Sequence, residues 1–530
     1  MKKKLIIDNF FLILLGIATS FSLPPFNYFL INFLTFALFF VFLFKRIDTQ
    51  KQKKVFFFYG WLFGFGYFLT NLYWISISLT FDEDLKFLIP LVIFLIPAFL
   101  AIFYGLFVYF FVIFSSKSII NSFLIFSLFF AIFEFVRGTI LTGFPWNLIA
   151  YSFAKQLEII SITSLIGTYG FNLLCISIFT SPALVVLRQT YREVVVFLLF
   201  IITLFIFYFH GNHYAKKFYK SNKVIHDYKI RVVGTNIGLK RFYLDTDPVS
   251  VIKELITVSN PNLDEKTIFI WPEGILPSVF QNELVEFKWL LENKFNKNHL
   301  LVMGINSEMM NDGSLNYYNS FTVYDNEFNL LNSYNKIKLV PFGEFIPFEG
   351  ILSKIGFKTI TNNYQSFTKG DQRNIIEIKK DNFSLKVLPL ICYEIIYTGK
   401  ISSDNNFDFI INISEDGWFG NSIGPKQHFV HSIFRAIESG KYIVRSANNG
   451  TSAIINPIGE IEKSLDLKHN GYIDFIERKK IQPTVFSKFG NKIFGFSILL
   501  YIFLIFSISF VFSFNSITTV FKNKLRKAKK

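Results

Sequence analysis

Cys392 is one of two cysteines in this 530-residue sequence, and it closes the apolar run Val387-Leu388-Pro389-Leu390-Ile391, with Tyr393 and Glu394 directly after it. A thiol just past the end of a buried strand, with a carboxylate two residues on, has the placement of a nucleophile. The other cysteine, Cys175, lies deep in an apolar run, where a thiol serves as a small core hydrophobe. A base and a charge-stabilising group would have to come from elsewhere, and two patches can supply them. Ile268-Phe269-Ile270-Trp271-Pro272-Glu273-Gly274 is a strand stopped by proline, with a carboxylate at its carboxyl end, where ligands gather in open α/β sheets. Residues 334–345 carry Lys336, Lys338 and Glu344 in an otherwise apolar setting. Taken singly, each patch also has an ordinary reading: a surface-turn glutamate, a solvated edge strand, a buried structural thiol. Spacing does not choose between the two lysines, since residues two apart share one face of a strand.

The elements that must position these groups fall into two kinds. The composition is 52% hydrophobic, with 71 Phe and only 17% charged residues, and the mean hydropathy is +0.40. A chain of that balance places much of itself in lipid. Apolar runs lie at 7–23, 28–44, 56–79, 88–114, 119–136, 159–186, 193–209 and 491–514. Each comes near the roughly 20 residues that cross a hydrocarbon layer, the first two being short. About eight transmembrane helices are therefore expected. Between the seventh and eighth runs, residues 225–485 alternate strand-like and amphipathic stretches. Strands are expected at 230–235, 267–271 and 300–305, and helices at 248–258 and 283–294. That alternation predicts an α/β domain large enough for one enzyme. The expected division is 1–222 as a seven-helix membrane domain, 223–487 as a catalytic domain, and 488–530 as a last crossing with a basic tail.

Charge orients the chain. Lys2, Lys3 and Lys4 precede the first run, Lys45, Arg46, Lys51, Lys53 and Lys54 follow the second, and Arg188 and Arg192 separate the sixth from the seventh. Lys522, Lys524, Arg526, Lys527, Lys529 and Lys530 close the sequence, whereas Asp82, Glu83 and Asp84 follow the third run. Basic connections on every second loop place both termini in the cytoplasm and the α/β domain outside. Lys216, Lys217, Lys220 and Lys223 break the pattern, but long domains translocate largely regardless of such charges. A signal peptide ending at Ala18-Thr19-Ser20 is the other reading of the N-terminus, and removing it would invert the alternation. The net charge of +16 is explained by these clusters at the edges of apolar runs, so nucleic acid is not an expected partner.

Together the three patches resemble the nitrilase, or carbon–nitrogen hydrolase, superfamily, with its Glu–Lys–Cys triad on an αββα sandwich. The order Glu273, Lys336, Cys392 matches. A nitrilase-like domain ahead of a last crossing further resembles the apolipoprotein N-acyltransferase family, whose motifs read here as Trp271-Pro272-Glu273, Leu339-Val340-Pro341-Phe342-Gly343-Glu344 and Ile391-Cys392-Tyr393-Glu394. Asp416-Gly417-Trp418-Phe419-Gly420, Asn448-Asn449-Gly450, Arg137-Gly138 and Leu141-Thr142-Gly143-Phe144-Pro145-Trp146 fit the same pattern. The resemblance implies Glu273 as general base, Lys336 rather than Lys338 as oxyanion donor, Cys392 as nucleophile, and Glu344, Glu394 and Tyr393 as supporting residues. It implies an acyl donor among membrane phospholipids, a diacylglyceryl apolipoprotein as acceptor, a thioester intermediate, no cofactor, no metal and a monomer in the inner membrane.

Other features carry less. The apolar stretch 345–357, with Phe348 and Leu352, is a candidate membrane-facing lid or acyl-chain wall, or else ordinary loop packing. Trp146 is expected under that lid or, more simply, as an interfacial anchor. His428 and His431 lie three apart on a helix expected over 425–439. With no third ligand nearby they read as a solvated helix face rather than a metal pair. No P-loop pattern occurs. Two further function classes remain open: a membrane-tethered amidase differing only in its acceptor, and a transporter with an external binding domain. Against the transporter, the crossings hold few ionisable residues beyond Glu134 and Arg137.

Overall fold

The computed structural model describes residues 2–528 apart from 49, 51, 244–245, 312, 353–365, 381–382, 400, 402–403 and 468. Among the described residues six helical stretches are long and apolar enough to cross a membrane: Lys53–Phe81, Glu83–Phe114, Ile119–Thr139, Thr163–Leu187, Tyr191–Lys220 and Lys492–Phe510. The first two apolar runs form helices Lys2–Ser20 and Ile31–Ile47, of 19 and 17 residues. At ~1.5 Å per residue these reach about 28 and 26 Å, just under the ~30 Å of hydrocarbon. The expected set of about eight apolar helices is thus present.

Phenylalanine packs this bundle. Phe39 stacks on Phe63 with ring centroids 4.2 Å apart, and Phe36, Phe107, Phe126 and Phe130 are buried around them. In lipid, helices gain little from hydrophobic exclusion, so dispersion between close surfaces has to hold them. Glycines permit that closeness. A methyl built on Gly16 would fall on the Phe63 carbonyl, and one on Gly66 on the Ile13 carbonyl, so helices Lys2–Ser20 and Lys53–Leu72 meet backbone to backbone. Glu134 and Arg137 pair at 2.8 Å, and Arg137 also donates to the Phe144 carbonyl. The charges are spent on bracing the loop that follows, which is not how a transport path uses them.

Among the described residues the α/β domain contains twelve strands: β1 Lys223–Gly234, β2 Thr267–Ile270, β3 His299–Asn311, β4 Ser314–Tyr324, β5 Leu330–Asn335, β6 Ile376–Lys380, β7 Phe383–Ile391, β8 Phe409–Glu415, β9 Tyr442–Asn448, β10 Ser452–Ile455, β11 Ile461–Leu465 and β12 Gly471–Lys479. They form two six-stranded sheets, ordered β12-β1-β2-β3-β4-β5 and β11-β10-β9-β8-β7-β6. In each the central three are parallel, β1-β2-β3 and β7-β8-β9. Their sequences show why: Thr267–Ile270 and Phe409–Glu415 are buried at every position, as parallel strands covered on both faces must be. Edge strand β6 alternates buried and exposed, and β11 is exposed along most of its length, which suits strands with one unpaired side. The sheets meet face to face, and Ser446 Oγ in β9 lies 2.6 Å from the Val233 carbonyl of β1.

One helix covers each outer face. Pro248–Ser259 starts on Asp247, whose carboxylate accepts from the Val249 and Ser250 amides at 3.0 and 3.1 Å, and stops at Asn260 in the left-handed region. Gly424–Ser439 starts with Pro425 in its first turn and ends at Gly440, with φ +66°. The result is the expected αββα sandwich. The helix expected at 283–294 is instead a single 3-10 segment, Leu284–Leu290. Leu284, Phe287 and Leu290 are spaced by three, a repeat that lines up on a 3-10 face and drifts on an α-helix.

Replacing Gly66 by Val is expected to wedge the first and third helices apart. A thermal melt of the detergent-solubilised protein should show the roughly 1–3 kcal/mol loss typical of overpacking.

Candidate active site

Glu273 stands three residues beyond β2, on a turn fixed by its predecessors. The Trp271 indole is fully buried and donates to Ser259 Oγ at 2.8 Å. Pro272 ends the strand, and Gly274 follows with φ +60°. The Glu273 carboxylate is 6% exposed. Its Oε1 accepts from Asn319 Nδ2 at 2.7 Å and from Lys336 Nζ at 3.2 Å, while Oε2 accepts from the Glu415 amide at 3.0 Å. All these partners lie on other strands or just past them.

Lys336 follows the last residue of β5 and is 1% exposed. Its backbone is held at both groups: the amide donates to the Asn319 carbonyl, and the carbonyl accepts from the Gly370 amide, both at 2.9 Å. Nζ lies 2.8 Å from Glu344 Oε1, so the ammonium bridges two carboxylates. Glu344 Oε2 in turn accepts from the Val340 amide at 2.8 Å, across a turn that sets Phe342 at φ +63°. Burial works against the charge on Lys336, but Glu273, Glu344 and Cys392 outweigh it and hold the ammonium well above the ordinary lysine range. Lys338 is elsewhere. Its Nζ lies over the Tyr397 ring, 4.9 Å from the centroid, because the strand ends before Lys336 and the two lysines share no strand face.

Cys392 opens a 3-10 turn, Cys392–Ile396, at the carboxyl end of β7, with φ +46°. Burial pushes its thiol well above the usual range, and Glu273 adds to this while Lys336 opposes it. The three groups named from the sequence thus follow the carboxyl ends of β2, β5 and β7, and their charges influence one another. Glu394 ties the cysteine turn to the lysine segment. Oε2 accepts from the Ile391 amide at 2.9 Å, and Oε1 from the Tyr334 hydroxyl, the Ile337 and Lys338 amides and Arg373 at 2.7 to 3.3 Å. Tyr393 turns away, its hydroxyl donating to the Gly143 carbonyl of the membrane part at 3.2 Å.

Beside Cys392 lies a buried polar cluster of which the sequence reading had only fragments. Asp416 receives Arg445 at 2.9 and 2.8 Å, Ser414 Oγ at 2.7 Å, and has His428 Nδ1 at 2.9 Å. Burial alone would raise the Asp416 carboxyl, yet Arg445 and His428 hold it well below the usual carboxylate range. His428 and His431 are 0% and 1% exposed, so the expected solvated helix face is wrong: that face of Gly424–Ser439 packs onto the membrane part. Among the described residues no group of three metal-ligating side chains occurs. Trp146 is also corrected. It is 2% exposed rather than anchored at a lipid interface, because its indole donates to Gln427 Oε1 at 2.9 Å and lies against His428. Phe348 is 72% exposed, as a lid residue would be. The side chain of Leu352 and residues 353–357 lie outside the described residues. Asn319, which touches both glutamates, went unnoticed, since a lone asparagine in a strand carries no motif.

The pocket beside these groups has a cavity volume of about 40 Å³ and is walled by Glu273, Glu344, Asn319, Asn306, Phe242 and Trp418. A carboxylate paired with an ammonium, and a thiol under the influence of both, are the parts of a covalent acyl-transfer site. Gly304 of β3 lies beneath it: a Cβ there would stand 2.7 Å from the Glu273 Cα. Gly304→Ala is therefore expected to displace Glu273 and lower turnover about 100-fold, the cost of a shift near 1 Å, with the protein still folded by circular dichroism.

Comparison with known proteins gives the same picture over nearly the whole length. Residues 15–180 match the family model described as apolipoprotein N-acyltransferase N-terminal domain, and residues 262–475 match the one described as carbon-nitrogen hydrolase. The apolipoprotein N-acyltransferase of Rickettsia prowazekii (strain Madrid E) is 34% identical over 516 residues, 94% of this chain and 98% of that one. That of Rickettsia typhi (strain ATCC VR-144 / Wilmington) is 33% identical, covering 90% and 94%. That of Rhodopseudomonas palustris (strain ATCC BAA-98 / CGA009) is 31% identical, covering 90% and 91%.

Proposed function

The chain belongs to the apolipoprotein N-acyltransferase family, and from that premise we propose that it moves a fatty acyl chain from a membrane phospholipid to the α-amino group of a diacylglyceryl-cysteine, through a thioester on Cys392. The observation that carries this is the buried ammonium of Lys336, shared between Glu273 and Glu344 and acting on the Cys392 thiol. Glu273 takes the thiol proton as sulfur attacks the ester carbonyl. Lys336, close to the carboxylate yet too basic to give up its proton, stabilises the oxyanion that forms. The carbon–oxygen bond then breaks, Glu273 returns the proton to the glycerol oxygen, and a lysophospholipid leaves. In the second half the neutral amine attacks the thioester, Glu273 accepts its proton, the carbon–sulfur bond breaks and the thiol is restored. The kinetics are ping-pong.

Glu344 and Glu394 serve this chemistry at one remove. The first holds Lys336 beside Glu273, and the second keeps the lysine segment and the cysteine turn in register. Both substrates are lipids, so a protein embedded in the membrane need not extract either. Basic clusters after the second and sixth apolar runs support cytoplasmic termini and an α/β domain outside the inner membrane. Phe348, exposed beside the Glu344 turn, suits a wall for an acyl chain.

With a phospholipid labelled in its acyl chain, wild-type protein is expected to carry the label on Cys392 and Cys392→Ala to remain in the membrane unlabelled. Labelling of that variant would reject the thioester route. Lys336→Gln is expected to slow labelling by about 10²–10³, the usual cost of one oxyanion donor.

A further inference from the structure

Cys392 holds a backbone conformation, φ +46°, that a non-glycine residue keeps only where its surroundings over-determine it. Much of that surrounding comes from the membrane part. Tyr393, inside the turn that Cys392 opens, and Tyr397, at its end, donate to the carbonyls of Gly143 and Thr142 at 3.2 and 3.0 Å. The loop 142–147 that receives them is braced from below: Arg137 donates to the Phe144 carbonyl, and the Tyr67 hydroxyl to that of Asn147 at 3.0 Å.

The same loop reaches Cys392 by a second route. The Trp146 indole lies nearly parallel to the His428 imidazole, with centroids 5.4 Å apart and planes 14° apart. Gln427 fixes that indole. Its Oε1 accepts from Trp146 at 2.9 Å and Trp74 at 3.3 Å, and its Nε2 donates to the Pro24 carbonyl and Asn71 Oδ1 at 3.2 and 3.3 Å. His428 is thereby pressed between Trp146 and Asp416, on the helix whose Arg435 donates to the Ile396 carbonyl of the Cys392 turn at 3.3 Å. Farther along the helix, Glu438 accepts from both the amide and the hydroxyl of Thr168 at 2.6 Å, which anchors the other end to the bundle.

We infer that His428 and Trp146 are positioning residues for the nucleophile, and that the membrane part builds the acylation geometry through loop 142–147. The inference rests on Cys392 being the residue that is acylated. Neither side chain exchanges a proton or a bond with substrate. Each constrains where the sulfur sits when it attacks.

The test uses the full chain reconstituted in phosphatidylethanolamine and phosphatidylglycerol vesicles with a labelled acyl chain, reading single-turnover labelling of Cys392. His428→Asn keeps an N–H for Asp416 but loses the ring that Trp146 lies against, and Trp146→Ala removes the ring that holds the imidazole. Each is expected to slow maximal acylation by about 10- to 100-fold at an unchanged half-saturating phospholipid concentration. The double variant is expected to match the slower single variant within about threefold, because both act through one path. Trp146→Phe, which keeps a ring face over His428, is expected to lose less than Trp146→Ala, and that pair decides the matter if His428→Asn is not recovered from membranes. Normal acylation in the single variants, a change in half-saturation alone, or losses that multiply in the double variant would overturn the inference. Wild-type protein that takes no label on Cys392 would instead overturn the thioester reading itself.

Discussion

A lysine ammonium out of reach of water is the constraint from which the architecture of this site follows. Stripping solvent from Lys336 costs several kcal/mol unless opposite charge replaces it at short range. Glu273 at 3.2 Å and Glu344 at 2.8 Å provide that charge, and Asn319 bridges the same two carboxylates on their other flank. The arrangement is self-consistent only when all members are present. Two buried carboxylates without the ammonium would repel, and the ammonium without them would not stay charged. The lysine is held by β5, one glutamate by β2 and by the Glu415 amide of the other sheet, and the other by a turn stapled to Val340, so both sheets must be in place before the site exists.

Burial that strengthens these charges also keeps the thiol protonated. Cys392 is pushed well above its ordinary range by loss of solvent and by Glu273, with Lys336 only partly opposing. A resting thiolate is not what this geometry favours. In the proposed reaction, a neutral thiol beside a carboxylate gives up its proton only as the sulfur attacks.

Membrane and α/β parts are joined by polar contacts as well as apolar packing. Gln427 makes side-chain hydrogen bonds to Trp146, Trp74, Asn71 and Pro24, and Glu438 and Arg435 meet Thr168. Buried donors and acceptors are costly when unpaired, so such contacts define one relative placement of the two parts more sharply than phenylalanine packing could. Helix Gly424–Ser439 is thus covering helix for one sheet and seat for the membrane loop at once, which explains why its histidines are buried.

Much of this molecule was legible in the chain itself. Apolar runs of crossing length marked the membrane helices, and all-apolar stretches such as 267–271 marked strands buried on both faces, because solvent exclusion leaves its period and length in the sequence. Glu273, Lys336 and Cys392 were legible because each ends or follows a strand and stands in a motif. What the chain did not reveal was which groups meet across large separations. Asn319 lies 46 residues from Glu273, and Trp146 lies 281 from Gln427. A local pattern records whether a side chain is buried, but the partner that compensates its polar atoms is chosen only when sheets and helices close on one another. For that reason Trp146 and His428 read as surface residues in the sequence, and only tertiary packing buried them against each other.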